Sequence, residues 1–232
     1  MRRYPADFSG LAHIIVGQQL SIASAAAIWS RLQAALGRVT APVVRAARDE
    51  TLVTAGLSSA KVRTLRALAD AVGPQRASTL KATASWSGAP KPVRLSIARL
   101  VNASDEEVRD ALMAVHGIGP WTADIFIMFC LGRADAWAAG DLALQVGVAR
   151  AFGMGKRLTA EETLAVAERW RPWRGVAARL IWADYSNLRN MKPIAAKTNG
   201  KETANVVSES RRRQTGRPRQ AQHANRKTQK RS

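Results

Sequence analysis

The chain carries one cysteine, Cys130, and three histidines, His13, His116 and His223. A lone cysteine forms no internal disulfide and builds no iron-sulfur cluster. The histidines stand in no ligand-spaced cluster, which excludes a structural zinc site and the zinc deaminases. No apolar run reaches the roughly 20 residues that span a membrane. Nor does any charged, apolar and small-residue succession mark a secretory leader. These absences predict a cytoplasmic protein with no metal, no cofactor and no membrane partner. Acid is scarce: 17 Asp plus Glu face 36 Lys plus Arg, a formal net charge of +19. From Met191 to Ser232 there is no aromatic residue, and twelve Lys plus Arg against two Glu give +10. That composition predicts a disordered basic tail, which would raise nonspecific DNA affinity through counterion release.

What is present upstream of the tail is helical periodicity. Residues 1–190 are expected to form one all-α domain, interrupted at residues 73–94 by a Gly-, Pro-, Ser- and Thr-rich insertion too long for an ordinary helix connection. Leu11, Ile14 and Ile15 mark one helix; Ile22, Ala26, Trp29, Leu32 and Leu36 mark a second, capped by Ser21 and stopped by Gly37. Gly17-Gln18-Gln19-Leu20-Ser21 is a polar break between them. Leu57 to Lys61 opens a further helix through Leu65 and Leu68 to Val72. Near the end, Thr159-Ala160-Glu161-Glu162 is a capping box. Trp170, Pro172, Trp173 and Trp182 are expected in the core, with Arg171, Arg174 and Arg179 placed to reach phosphates.

The densest signal lies between Ser104 and Gln145. Ser104-Asp105-Glu106-Glu107 is a capping box that starts a helix running to about Val115. Gly117-Ile118-Gly119 follows, with Pro120 suited to the first turn of a second helix that carries Trp121, Ile125, Met128 and Phe129 at helical spacing. No strand-like run precedes the glycines and no Lys-Ser or Lys-Thr follows them, so neither a dinucleotide fold nor a P-loop fits. A helix-hairpin-helix remains, whose glycines admit a close surface and whose second helix turns its amides toward a phosphate. Asp141 opens a third apolar helix, Leu142 to Phe152. Taken alone it reads as a helix cap before it reads as a catalytic carboxylate, and Asp124 and Asp135 are competing carboxylates.

Three ordered segments, LMAVHGIGPWTADIFIMFCLGRADAWAAGDLALQ, FSGLAHIIVGQQLSIASAAAIWSRLQAALG and ERWRPWRGVAARLIWADY, resemble the helix-hairpin-helix DNA glycosylase superfamily, DNA-3-methyladenine glycosylase II branch. They span most of residues 8 to 185. The resemblance implies an all-α glycosylase core that takes double-stranded DNA containing alkylated bases as its partner and acts as a monomer. It implies that Asp141 is the catalytic carboxylate, that Trp121 and Ile125 line the base pocket, and that Gly117, Ile118, Gly119, Trp121 and Thr122 face DNA. Gln18 and Gln19 would supply the wedge that fills the gap left by a flipped base, with Gln19 preferred. Strand-nicking relatives carry a lysine where Trp121 stands, and tryptophan forms no imine, so the implied activity is monofunctional hydrolysis leaving an abasic site. The sequence departs from the pattern at Ala138, where proline is usual, and at Ile125, where one relative has tyrosine. The small amino-terminal β domain of some relatives is expected to be missing. Two other classes stay open: a catalytically inactive protein that binds damaged or bent DNA, and a basic architectural or RNA-associated protein whose affinity resides in the tail.

Overall fold

The computed structural model describes residues 4–72 and 93–190, with side chains to residue 187. Residues 73–92 of the expected 73–94 insertion, and the tail at 191–232, lie outside the described residues. Every regular element among the described residues is helical, as the periodicity predicts. α1 spans Phe8–Gly17 and α2 Ile22–Leu36. The short α3 (Ala41–Ala46) and α4 (Asp49–Thr54) lead to α5, Ser59–Val72. After the one-turn α6 (Ile97–Leu100) come α7 (Asp105–Met113) and α8 (Pro120–Phe126). α8 runs on as a π-helical turn, Ile127–Leu131. α9 (Leu142–Ala151), α10 (Ala160–Ala167) and α11 (Arg174–Asn190) complete the domain.

α1 is the centre of the packing. It is apolar on nearly every face and touches α2, α5 and α8. Leu11, Ile15, Leu65, Leu68, Leu112, Phe126, Ile127, Met128 and Leu144 have no more than traces of surface. Burying each such side chain contributes about 1.5–3 kcal/mol. Cys130 belongs to this core, where burial pushes its thiol up to about 12. The thiol therefore stays protonated and inert, as its apolar setting in the sequence suggests.

Three expectations fail. In α2 the inward face is Ala25, Ile28, Trp29, Leu32 and Leu36, whereas Ile22 is 74% exposed and Ala26 faces solvent. Residues 22 to 29 are apolar at all but Ser24, so periodicity cannot fix the phase there; the stack of Trp29 on His13, centroids 4.6 Å apart, does. Second, Trp173 is 60% exposed and Pro172 is exposed, while Trp170 and Trp182 pack against the core. The tight turn ahead of α11 puts Arg174 inside and Trp173 out. Third, the three arginines assigned to phosphates are engaged within the protein. Arg174 is 9% exposed and paired with Asp135 and Glu168, Arg171 binds the same two carboxylates, and Arg179 donates to the Met128 carbonyl at 3.0 Å.

Candidate active site and hairpin turn

The hairpin begins where α7 ends. Its start is fixed by the capping box: Glu107 N–H donates to Ser104 Oγ at 3.2 Å and Ser104 N–H to Glu107 Oε2 at 2.7 Å. The bond from the Ser104 amide holds the Glu107 carboxyl below its usual range. Ile118 is buried and anchors the turn, with its amide donating to the Val115 carbonyl at 3.1 Å. The glycines on either side do different work. Gly117 has φ +82°, and a Cβ there would sit 1.9 Å from Thr64 Oγ1 on α5. Gly119 caps α8 with φ −107°, and a Cβ there would meet nothing within 4 Å. One glycine is required by the protein's own packing, and the other faces open space.

This contrast makes a prediction. Gly117→Ala should lower stability by about 2 kcal/mol or more, from left-handed strain plus a clash with Thr64. Gly119→Ala should leave the melting temperature within about 2 °C of wild type and weaken binding to duplex DNA. Paired thermal melts and titrations with undamaged DNA check this, and an unstable Gly119→Ala would refute the assignment.

Asp141 joins three helices, α8, α9 and α11. It is the N-cap of α9, and its Oδ1 accepts the Leu144 amide at 3.0 Å. The cap does not exhaust the carboxylate. Oδ1 also accepts the Trp182 indole N–H at 2.9 Å, and Oδ2 accepts the Trp121 indole N–H at 2.8 Å. Three neutral donors thus fix both oxygens, and among the described residues no ion pair reaches Asp141. Its charge is held without being cancelled.

The competing carboxylates are spent on architecture. Asp124 is 7% exposed and bound to Arg109 at 2.7 Å, which ties α8 to α7; burial pushes its carboxyl up even against that guanidinium. Asp135 is gripped by Arg174 through both oxygens at 2.8 and 2.9 Å. Burial acts to raise the Asp135 carboxyl, yet the Arg174 hydrogen bonds and charge, with Arg171 beyond, hold it below the usual range. Of the three, only Asp141 has no ion-pair partner among the described residues.

The loop that delivers Asp141 is fastened at its base. The Gly175 amide donates to the Ala134 carbonyl at 2.7 Å, and a Cβ on Gly175 would lie 2.8 Å from that oxygen. Trp137 and Ala138 are buried behind it. Pro is therefore dispensable at position 138, because burial restrains the loop. Trp121 is half-buried against the core, with its indole edge pinned to Asp141. Ile125 is 7% exposed and lies in the core. Trp182 extends the site through Phe129, stacked at 5.7 Å, to Tyr4 at 6.2 Å from that ring.

The break after α1 approaches the same region. Gln18 Nε2 donates to Thr122 Oγ1 at 2.8 Å, which joins the break to α8. Gln19 is exposed with φ +57°, the sole described non-glycine with positive φ. Trp182, Lys61 and Thr64 are site neighbours that sequence reasoning missed. Trp182 packs against the core as expected, and helical spacing does not distinguish an indole N–H that also meets a carboxylate. Lys61 donates to two backbone carbonyls, which no pattern encodes.

Residues 12–172 match the HhH-GPD superfamily base excision DNA repair protein family. A Bacillus subtilis strain 168 protein is 32% identical over 88 residues, 38% of this chain and 31% of that protein. The chain thus spans under a third of the length of that relative. The Schizosaccharomyces pombe protein named DNA-3-methyladenine glycosylase 1 is 27% identical over 193 residues, covering 82% of this chain and 77% of its own. The crystal structure of a DNA-3-methyladenine glycosidase from Bacillus halodurans superposes with TM-score 0.62 at 30% identity, over 82% of this chain and 80% of that one.

Proposed function

We propose, starting from the fact that this chain belongs to the HhH-GPD superfamily of base excision DNA repair proteins, that it is a monofunctional DNA glycosylase that excises alkylated purines from duplex DNA. The observation that carries the reading is the uncancelled Asp141 carboxylate, fixed by the Trp121 and Trp182 indoles beside a helix-hairpin-helix turn. Cleaving an N-glycosidic bond moves the bonding pair onto the base and builds positive charge on the deoxyribose. A fixed anion facing C1′ stabilises that oxocarbenium-like state, and preorganisation means nothing must reorient as the charge develops.

Water then bonds to C1′ and gives its proton to Asp141. An N3- or N7-alkylated purine leaves easily, because the incoming electron pair neutralises a charge already on the ring. No general acid is needed for that leaving group. Trp121 occupies the place where strand-nicking relatives carry lysine, and an indole N–H forms no imine, so the product is an intact abasic strand. Gly119 and the amides that open α8 receive the backbone phosphate, and Gln19 enters the stack as the base leaves it. Thr122, expected on the DNA side, is buried and holds Gln18 from within the protein. The protein acts as a monomer on chromosomal DNA.

The test is incubation with methylated duplex DNA under single-turnover conditions. Free N3-methyladenine and N7-methylguanine should appear, with strand breaks only after alkaline or thermal workup. Binding without release of either base would replace this reading with that of an inactive damage-binding protein. Breaks formed without workup would overturn the monofunctional assignment.

A further inference from the structure

The two DNA-facing elements, the turn at Gln18 and Gln19 and the hairpin at Gly117 to Gly119, come from sequence positions about a hundred residues apart. Both are held by one helix face. On α5, the Lys61 ammonium donates to the Val16 and Gln18 carbonyls, each at 2.8 Å, so it closes the last turn of α1 from outside that helix. One turn later on α5, Thr64 lies 4% exposed against Gly117, and its hydroxyl donates to the Ala60 carbonyl at 3.0 Å. Gln18 then reaches across to Thr122 and closes the ring.

Gln19 makes this bracing necessary. A glutamine in the left-handed region sits in a conformation ordinarily left to glycine, and such strain persists only where surrounding contacts over-determine it. The Lys61 bonds fall on the carbonyl of Gln18, immediately before the strained residue, and on that of Val16. The Lys61 ammonium is partly buried, which lowers its affinity for its proton, and its two bonds go to backbone carbonyls.

We propose that Lys61 is a positioning residue for base extrusion: through the Val16 and Gln18 carbonyls it sets Gln19 in register with the hairpin, so that wedge and phosphate grip advance on the DNA as one body. The inference rests on the reading of Gln19 as the wedge. Base extrusion is the step that depends on this register, whereas bond cleavage at Asp141 is not.

Lys61→Met, which keeps the stem and removes the donors, is compared with wild type on two lesion contexts. Release from a lesion paired in a regular duplex should fall roughly 10- to 100-fold, the scale of loss from about 1 Å of misplacement. Release from the same lesion in a bulge, where little unstacking remains to be done, should fall less than about threefold. Lys61→Arg should restore part of the duplex rate. Gln18→Ala, which cuts the tether to Thr122 without touching Lys61, should show the same selectivity for the paired context. Equal loss in both contexts, with or without a lower melting temperature, would mean that Lys61 only supports the fold. A 2-aminopurine reporter next to a mispair separates this from the proposed activity, because it reads extrusion without excision. Wild type that extrudes but releases nothing would sink the glycosylase reading alone. Equal extrusion by wild type and Lys61→Met would sink this one.

Discussion

Asp141→Asn should bind DNA as wild type does and release alkylated base at least about 10²–10³-fold more slowly. Asparagine is as good an N-cap as aspartate, so the start of α9 survives the change. What changes is the pattern of donors around the side chain. Leu144 N–H, the Trp182 indole and the Trp121 indole all donate to the carboxylate, and an amide can accept through one oxygen only. With the amide oxygen retained toward Leu144 and Trp182, its NH2 confronts the Trp121 N–H, a donor against a donor, at a cost of about 1–3 kcal/mol. Some of the activity lost in the single variant could then come from displacement of Trp121. The double variant Asp141→Asn with Trp121→Phe removes the clash and should regain stability without regaining activity. Base release in the double variant approaching the wild-type rate would show that indole placement, and not the anion, carries the chemistry. The single-turnover rate at saturating enzyme is the quantity to compare, because it excludes differences in DNA affinity.

How the site could be foreseen follows from which of its interactions are local in sequence. The hairpin was legible because its signals are local: a capping box, two glycines and a proline, each within a few residues of what it controls. The same is true of the cap at Asp141. The choice of Asp141 over Asp124 and Asp135 rested on family resemblance, and the physical ground for it, that the other two face arginines, needed the fold. Periodicity gave the helices but not the phase of α2, where apolar residues surround the axis and Ile22 ends in solvent. It also sent Trp173 inward, because an apolar residue beside a turn carries no information about which side of the turn is the core. The second indole on Asp141 comes from a residue 41 positions away. The clamp at Lys61 is invisible for another reason: its partners are backbone carbonyls, whose orientation depends on how α1 ends and not on which residues are there.

Arg174 is the case where sequence reasoning erred in a productive way, and Arg174→Ala should be among the most destabilising single changes in the chain. The side chain reaches Asp135 through a fork at 2.8 and 2.9 Å, the Asp135 carbonyl at 3.1 Å and Glu168 at 2.8 Å. Removing one partner of a buried pair costs about 3–5 kcal/mol when burial is complete; Asp135 keeps 26% of its side-chain surface and its contact with Arg171, so the low end, about 3 kcal/mol, is the most that is expected. For a domain of this size that is about 6–12 °C of melting temperature. Arg174→Lys should recover only part, because an ammonium cannot reproduce the two parallel bonds. Acid acts on the same contact. The Asp135 carboxyl is held below its usual range in the folded protein, so the stability it contributes is complete above about pH 4, the unfolded value, and is lost as pH falls through the lower folded value. Wild-type melting temperature should therefore drop on acidification below about pH 4, and Arg174→Ala, having already lost the contact, should drop less over the same interval. Parallel slopes for the two proteins would show that the pair does not carry the acid dependence. The consequence reaches the chemistry through the chain itself: Asp135 and Ala134 are the points at which the loop leading to Asp141 is fastened to α11, and α11 is also the helix that brings Trp182 to the carboxylate. An arginine engaged by the protein's own carboxylates thus governs whether Asp141 and its indole donor arrive at the same place, and base release by the folded fraction of Arg174→Ala should fall along with its stability.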